Sequence, residues 1–259
     1  MEKNPGFAKM IPGFIYRFIS KVLRLKEINE IIEKYGQKRG MEFVKNVIDY
    51  FNVSQKTFGL ENIPKNGRFI FASNHPIGGL DALLLMENVY KEKGDFRFIV
   101  NDVLMKIPQL KDLFLPINKY GKNNKKYAQL LEKQYKSDLQ ILIFPSGLAS
   151  RKIKGKVKDT SWRPHFIKKA IQYQRNIIPV HISGRNSNLF YSLAHIRKFI
   201  HLKSNIESFL LPNESFRQRN KELTLSFGKP IPYKTFTKEK SLKEWAKIVK
   251  EISYNLPLS

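Results

Sequence analysis

Residues 69 to 81 read Phe69-Ile-Phe-Ala-Ser-Asn-His-Pro-Ile-Gly-Gly-Leu-Asp81. The first residues are apolar or small without alternation, as in a strand buried on both faces. Pro76, Gly78 and Gly79 then break the run and supply a loop. An apolar series begins at once on the far side, so the segment predicts strand, tight loop and helix in succession. A histidine and a carboxylate six residues apart point to different faces of any regular helix, so His75 and Asp81 meet only if that loop turns back tightly. Asp81 would then stand in the first helical turn, where free N–H groups and the helix dipole favour a carboxylate.

The same alternation continues outward. Arg68 to Ser73, Phe96 to Asn101, Leu139 to Phe144, Ile177 to Ser183 and Glu222 to Phe227 read as strands. Asp81 to Glu92, Asn123 to Tyr135 and Arg163 to Gln174 read as helices, and Ser241 caps a closing amphipathic helix to Tyr254. The expected fold is an α/β sheet flanked by helices. Residues 1 to 51 read instead as helical: Ile11, Phe14, Ile15, Phe18, Val22 and Leu25 recur at helical spacing, and Phe43, Val44, Val47, Ile48 and Phe51 repeat the pattern after a break between Gly36 and Gly40. The predicted division is an N-terminal helical, membrane-contacting segment, 1–51, and an α/β domain, 52–259.

The 259 residues hold 47 Lys+Arg against 22 Asp+Glu, a formal charge of +25. A field of that sign needs polyanions as partners: nucleic acid, anionic lipid or an acidic carrier protein. Cys is absent, which removes thiolate metal sites and Cys nucleophiles and fits a reducing compartment. No uninterrupted apolar stretch reaches the length of a spanning helix. Arg17, Lys21 and Arg24 interrupt the first apolar run, which argues against a secretory signal. His165, His181, His195 and His201 lack metal-ligand spacing, so no metal is expected.

Chemically, His75 and Asp81 suit a general base and its orienter: a carboxylate holding one ring nitrogen leaves the other free to take a proton from a hydroxyl. The same residues also read as a loop cap and a helix cap. With neither Cys nor a nucleophile-elbow serine, direct attack by a substrate hydroxyl is simpler than a covalent enzyme intermediate.

Asn74-His75, a Gly-containing loop and Asp81 together resemble the first motif of the glycerolipid, or lysophosphatidate-type, acyltransferases. Phe114-Leu-Pro-Ile-Asn-Lys-Tyr-Gly121 resembles the second motif, Phe144-Pro-Ser-Gly147 the third and Ile178-Pro-Val-His-Ile-Ser-Gly184 the fourth. The resemblance implies an α/β O-acyltransferase with His75 and Asp81 as the catalytic pair. It implies substrate-binding positions at Asn74, Gly78, Gly79, Lys119, Ser146 and Gly147. It also implies no resident cofactor, and acyl carrier protein or coenzyme A thioester as the acyl donor. The expected place is the cytoplasmic face of a membrane, as a peripheral protein, with the basic amphipathic stretch Ile11 to Lys26 in contact with lipid; the alternative is that this stripe packs on the α/β body.

The departures bear on the acceptor. Five residues rather than four separate His75 from Asp81, Ser146 stands where the family usually has Glu, and the Arg usual near Asn118 or Lys119 is missing. These two residues are associated in the family with the acceptor's glycerol-phosphate. Ser146, Arg151, Val157, Asp159, Trp162 and Gly184-Arg-Asn-Ser187 resemble a hemolysin-like bacterial branch whose members include O-acyltransferases of ornithine or glycine lipids. An amino-acid lysolipid is therefore the expected acceptor, and 1-acylglycerol-3-phosphate the alternative.

Two arginines join the candidate binding residues. Arg151 opens a basic loop, with Lys152, Lys154, Lys156 and Lys158, that would meet carrier phosphates or acidic surfaces or else stay solvated. Arg185 would clamp a carboxylate or phosphate, or pair with Asp159. The rival reading from another class is a basic nucleic-acid- or lipid-binding protein without catalysis. Its nucleic-acid form is disfavoured, because the cations are scattered and no recognition motif is present.

Overall fold

The computed structural model describes residues 12–117, 124–202 and 204–258. Its helices and strands run in the order α1 (Gly13–Val22), α2 (Leu25–Tyr35), α3 (Gly40–Phe51), β1 (Ser54–Phe58), β2 (Phe69–Ser73), α4 (Leu80–Lys93), β3 (Phe96–Asn101), β4 (Phe114–Ile117) and α5 (Asn124–Lys136). There follow β5 (Gln140–Ile143), β6 (Arg151–Ile153), β7 (Lys156–Lys158), α6 (His165–Tyr173), β8 (Asn176–Ile182), α7 (Asn188–Phe199), α8 (Leu211–Phe216), β9 (Glu222–Phe227) and α9 (Leu242–Tyr254).

A seven-stranded sheet carries the fold, in the order β1-β9-β8-β2-β5-β3-β4. Its neighbours run parallel except β8 and β9. Every residue of β2 and β5 is buried, because helices cover both faces of a parallel sheet and leave no polar side to alternate. Phe69, Phe71, Phe98, Leu142 and Phe227 join one core with the buried face of α4; Ile70, Ala72 and Ile141 join a second with Phe166, Trp245 and Val249 of α6 and α9.

Phe43, Val44, Val47, Ile48 and Phe51 of α3 sit in the first core, so α3 is packed into the body although it precedes residue 52. The first helix behaves otherwise. Phe14 and Phe18 of α1 are each 68% exposed, so these residues do not pack on the α/β body. No helix among the described residues is long and apolar enough to cross a membrane.

Topology places the chemistry. β2 lies between β8 and β5 and is parallel to both, so the loops leaving the C-terminal ends of these three strands emerge side by side. This is where ligands of open α/β sheets bind. Those loops begin at Asn74, Phe144 and Ser183, the first, third and fourth motif segments. The described part of the second, Phe114–Ile117, is β4 itself, at the sheet edge.

Candidate active site

The loop after β2 folds back as its composition requires. Gly78 adopts φ +97°, and a side chain there would stand 2.5 Å from Leu211 Cδ2 of α8, so both conformation and space call for glycine. The turn brings His75 Nδ1 to 3.0 Å from Asp81 Oδ2. Asp81 is fully buried and accepts N–H groups from Ile77 at 2.9 Å, Gly78, Gly79 at 2.9 Å and Ala82 at 3.1 Å. Burial alone would raise the Asp81 pKa, but the neighbouring imidazole and these N–H donors outweigh it and hold the carboxyl below its ordinary value. A carboxylate fixed at Nδ1 leaves Nε2 without a hydrogen-bond partner among the described residues.

Two further contacts set the imidazole. Its ring stacks on Phe144, centroids 3.9 Å apart and planes 19° from parallel. Behind it, the backbone N–H of His75 donates to Asp159 Oδ1 at 3.2 Å, and its carbonyl accepts from the Ser150 N–H at 2.7 Å. The buried Asp159 also accepts from Ser150 Oγ at 2.6 Å and Trp162 Nε1 at 2.9 Å. Tyr254 Oη takes the Asp159 N–H at 2.7 Å. The sequence offered no spacing signal for this brace, which is assembled from β2, the β6–β7 hairpin and α9.

The other candidate residues divide. Asn74 is buried, and its amide donates to Ile182 O at 2.8 Å and accepts from Ile182 N at 2.7 Å; it clamps the end of β2 to the end of β8, and its amide is taken up there instead of facing a substrate. Gly78 and Gly79 serve the site through their N–H groups on Asp81. Ser146 is buried and donates to Leu148 O at 2.8 Å. Gly147 turns with φ +66°, and Arg163 Cζ lies 3.5 Å from where its side chain would begin. This exposed guanidinium beside the third motif forms no ion pair among the described residues and was not singled out from sequence. Asn118 and Lys119 lie outside the described residues.

Arg151 corrects the sequence expectation. Its side chain is 11% exposed and pairs with the fully buried Glu207 at 2.6 Å, which Arg197 also meets at 2.9 Å. The guanidinium lies over Phe190, 5.0 Å from the ring centroid. Burial pulls its pKa down, with Glu207 opposing the shift. A cation committed to that buried triad is not available to an acceptor or carrier. Arg185, by contrast, is exposed and bonded to Asn188 Oδ1 at 2.7 Å, and the expected alternative pair with Asp159 does not form. With Arg217, Gln218 and Lys221 it lines a cleft of about 360 Å³, one residue beyond Gly184, which packs against Ile77 of the His75 loop.

The whole chain, residues 1–259, matches a protein family described as Acyltransferase. It is 39% identical over 255 residues to the lyso-glycine lipid O-acyltransferase of Bacteroides thetaiotaomicron, covering 98% of this chain and 94% of that one. It is 38% identical over 249 residues to the protein of the same name from Phocaeicola vulgatus, covering 96% and 89%. Its fold is similar to the crystal structure of the 1-acyl-sn-glycerophosphate (LPA) acyltransferase PlsC from Thermotoga maritima, at 20% identity, TM-score 0.50 and 92% coverage of each chain. With a family match over the whole chain and two named O-acyltransferases aligned to nearly all of it, the protein belongs to the acyltransferase family and is an O-acyltransferase.

Proposed function

We propose that the protein esterifies the free hydroxyl of a lyso-glycine lipid, or a closely similar amino-acid lysolipid, with an acyl chain drawn from a thioester of acyl carrier protein or coenzyme A, at a membrane surface. The carrying observation is the His75 Nδ1–Asp81 contact at 3.0 Å. Held there, His75 Nε2 takes the hydroxyl proton as the oxygen attacks the thioester carbonyl. The tetrahedral intermediate then collapses: the C–S bond breaks, the ester remains and the thiolate recovers the proton from the imidazolium. The reaction therefore needs no covalent enzyme intermediate.

The acceptor reading rests on the two relatives named for a glycine lipid and on Arg185. An exposed guanidinium one residue beyond Gly184, whose backbone packs on Ile77 of the His75 loop, and without a carboxylate partner among the described residues, suits the headgroup carboxylate of such a lipid. Membrane contact is supported by the outward Phe14 and Phe18 of α1 with exposed Arg17 and Lys21 on the same short helix. Purified protein given an acyl thioester and no acceptor should release no free thiol, and adding a lyso-glycine lipid should start the release, with O-acylated lipid formed in equal amount. Thiol release without the lipid, or no ester product, would overturn this reading.

A further inference from the structure

The segment between β8 and β9 has a two-sided construction. On α7, Phe190, Tyr191 and Ala194 are buried and Arg197 reaches inward to Glu207. The opposite side repeats Leu189, Ile196, Phe199 and Ile200 at helical spacing, and all face solvent: Phe199 is 83% exposed, Leu189 63% and Ile200 58%. Phe209, 68% exposed, follows on the stretch held against α7 by the Arg197–Glu207 pair. A helix that is apolar on both sides has a second apolar partner, and a contiguous exposed patch of this kind marks a docking surface.

Charge selects the partner. Glu207 and Glu214 are the only carboxylates from residue 185 to 221, and both are buried, 0% and 1% exposed, and bonded internally. Among the described residues, what this segment turns outward therefore carries no negative charge, and Lys198, Arg217 and Lys221 are exposed beside the apolar side chains and neutral polar ones such as Ser192 and His195. Its position connects it to the site and to α1. Leu211 of α8 packs on Gly78 of the His75 loop. Asn213 of α8 accepts from Arg24 Nε at 2.8 Å, at the end of α1, so the exposed face of α1 and the segment carrying that of α7 are joined beside the same mouth.

We infer that the outer face of α7, with Phe199, Ile200 and Phe209, is a membrane-insertion surface that seats in an anionic phospholipid bilayer. It rests on the lipid-acceptor reading and gives that reading a geometry: aromatic side chains enter the acyl boundary, Lys198 meets lipid phosphates, and a lysolipid reaches His75 without crossing bulk water.

The full-length protein is sedimented with vesicles of phosphatidylglycerol and phosphatidylcholine, and with phosphatidylcholine alone. Phe199→Glu/Phe209→Glu alters only exposed positions, so its melting temperature should match the parent. Its partition onto anionic vesicles should fall tenfold or more, since each lost aromatic insertion weakens binding by about an order of magnitude. Thiol release with a short-chain, water-soluble lysolipid should stay within about twofold. His75→Ala should bind vesicles as the parent does, so loss of partition in the double variant reads membrane docking even if no acyl transfer is detected. Unchanged partition of the folded double variant would overturn the inference. So would unchanged partition combined with weaker binding of acyl carrier protein, which would make the face a protein-docking surface.

Discussion

Asp159 Oδ1 accepts the backbone N–H of His75 across 84 residues of sequence, while Asp81 holds the ring of the same residue. The same carboxylate also accepts from Ser150 Oγ at Oδ1 and from Trp162 Nε1 at Oδ2. Asp81 fixes the ring and Asp159 fixes the backbone that carries it. Asp159→Ala would leave several buried donors without an acceptor, at about 1–3 kcal/mol each. The folded fraction should show a kcat at least about tenfold lower, as expected when a catalytic group is displaced by a fraction of an ångström. The acceptor KM should hold, and Asp159→Asn should recover part of the loss. Wild-type kcat in a variant that merely melts earlier would make Asp159 a structural brace only.

His75→Ala should reduce acyl transfer by ~10²–10⁴-fold, the usual cost of a lost general base. The ring contacts Phe144 by one face and remains partly exposed, so its removal opens little core volume and the melting temperature should fall only slightly. Steady-state thiol release alongside a thermal melt checks both halves. Transfer near the parental rate in the folded variant would remove His75 from the reaction.

Asp81 has a structural as well as a chemical role, because its carboxylate gathers the N–H groups of the loop it closes. Its folded pKa lies below the ordinary carboxylate value. A depressed carboxyl contributes stability that is fully present above the unfolded pKa, about 3.9, and is lost as pH falls through the folded value. Asp81→Asn should therefore lower both activity and melting temperature at pH 7, and the gap in melting temperature should close as pH drops below about 4. A constant gap down to pH 2 would contradict the linkage.

Arg151 should matter for stability rather than for substrate. Arg151→Ala leaves the buried Glu207 with Arg197 as its remaining cation, and breaking a buried ion pair from one side typically costs about 3–5 kcal/mol. Denaturant unfolding should register that loss, while the acceptor KM of the folded enzyme stays unchanged. A raised KM with unchanged stability would return Arg151 to the binding site.

The sequence made the centre of the sheet legible and its edges less so. β2, β5 and β8 are buried apolar runs, and glycine and proline mark the His75 loop, so strand, turn and the meeting of His75 with Asp81 could all be read locally. β1, Ser54-Gln-Lys-Thr-Phe58, is a half-exposed edge strand whose side chains carry no apolar run; only its parallel pairing with β9 makes it a strand. α7 escaped for the opposite reason: apolar residues on both of its sides blur the period that identifies a helix. Arg151 was misplaced because its partner, Glu207, lies 56 residues away, and nothing in a basic loop indicates that its first cation is buried.

The proposed acceptor preference turns on which residues stand where the resemblance leads one to expect phosphate-reading ones. Ser146 is buried and donates to the Leu148 carbonyl, so it adds no charge where the family usually has Glu. Arg185 is exposed and follows Gly184, which packs on the His75 loop; the Gln218 amide donates to its carbonyl at 3.2 Å. One planar guanidinium matches a single carboxylate in bidentate fashion. A doubly charged phosphate monoester gains most from several convergent donors, and Arg217, the other arginine lining the cleft, leans toward Glu214 at 3.8 Å. Supplied together with one acyl-thioester donor, lyso-glycine lipid should therefore be acylated with the higher kcat/KM and lysophosphatidate with the lower. Arg185→Met should raise the KM for the glycine lipid by about tenfold, the scale of one charge-assisted contact, and should leave the methyl ester of that lipid unaffected. A clear preference for lysophosphatidate would assign the protein to glycerophospholipid synthesis. Equal sensitivity of acid and ester would show that Arg185 does not read the carboxylate.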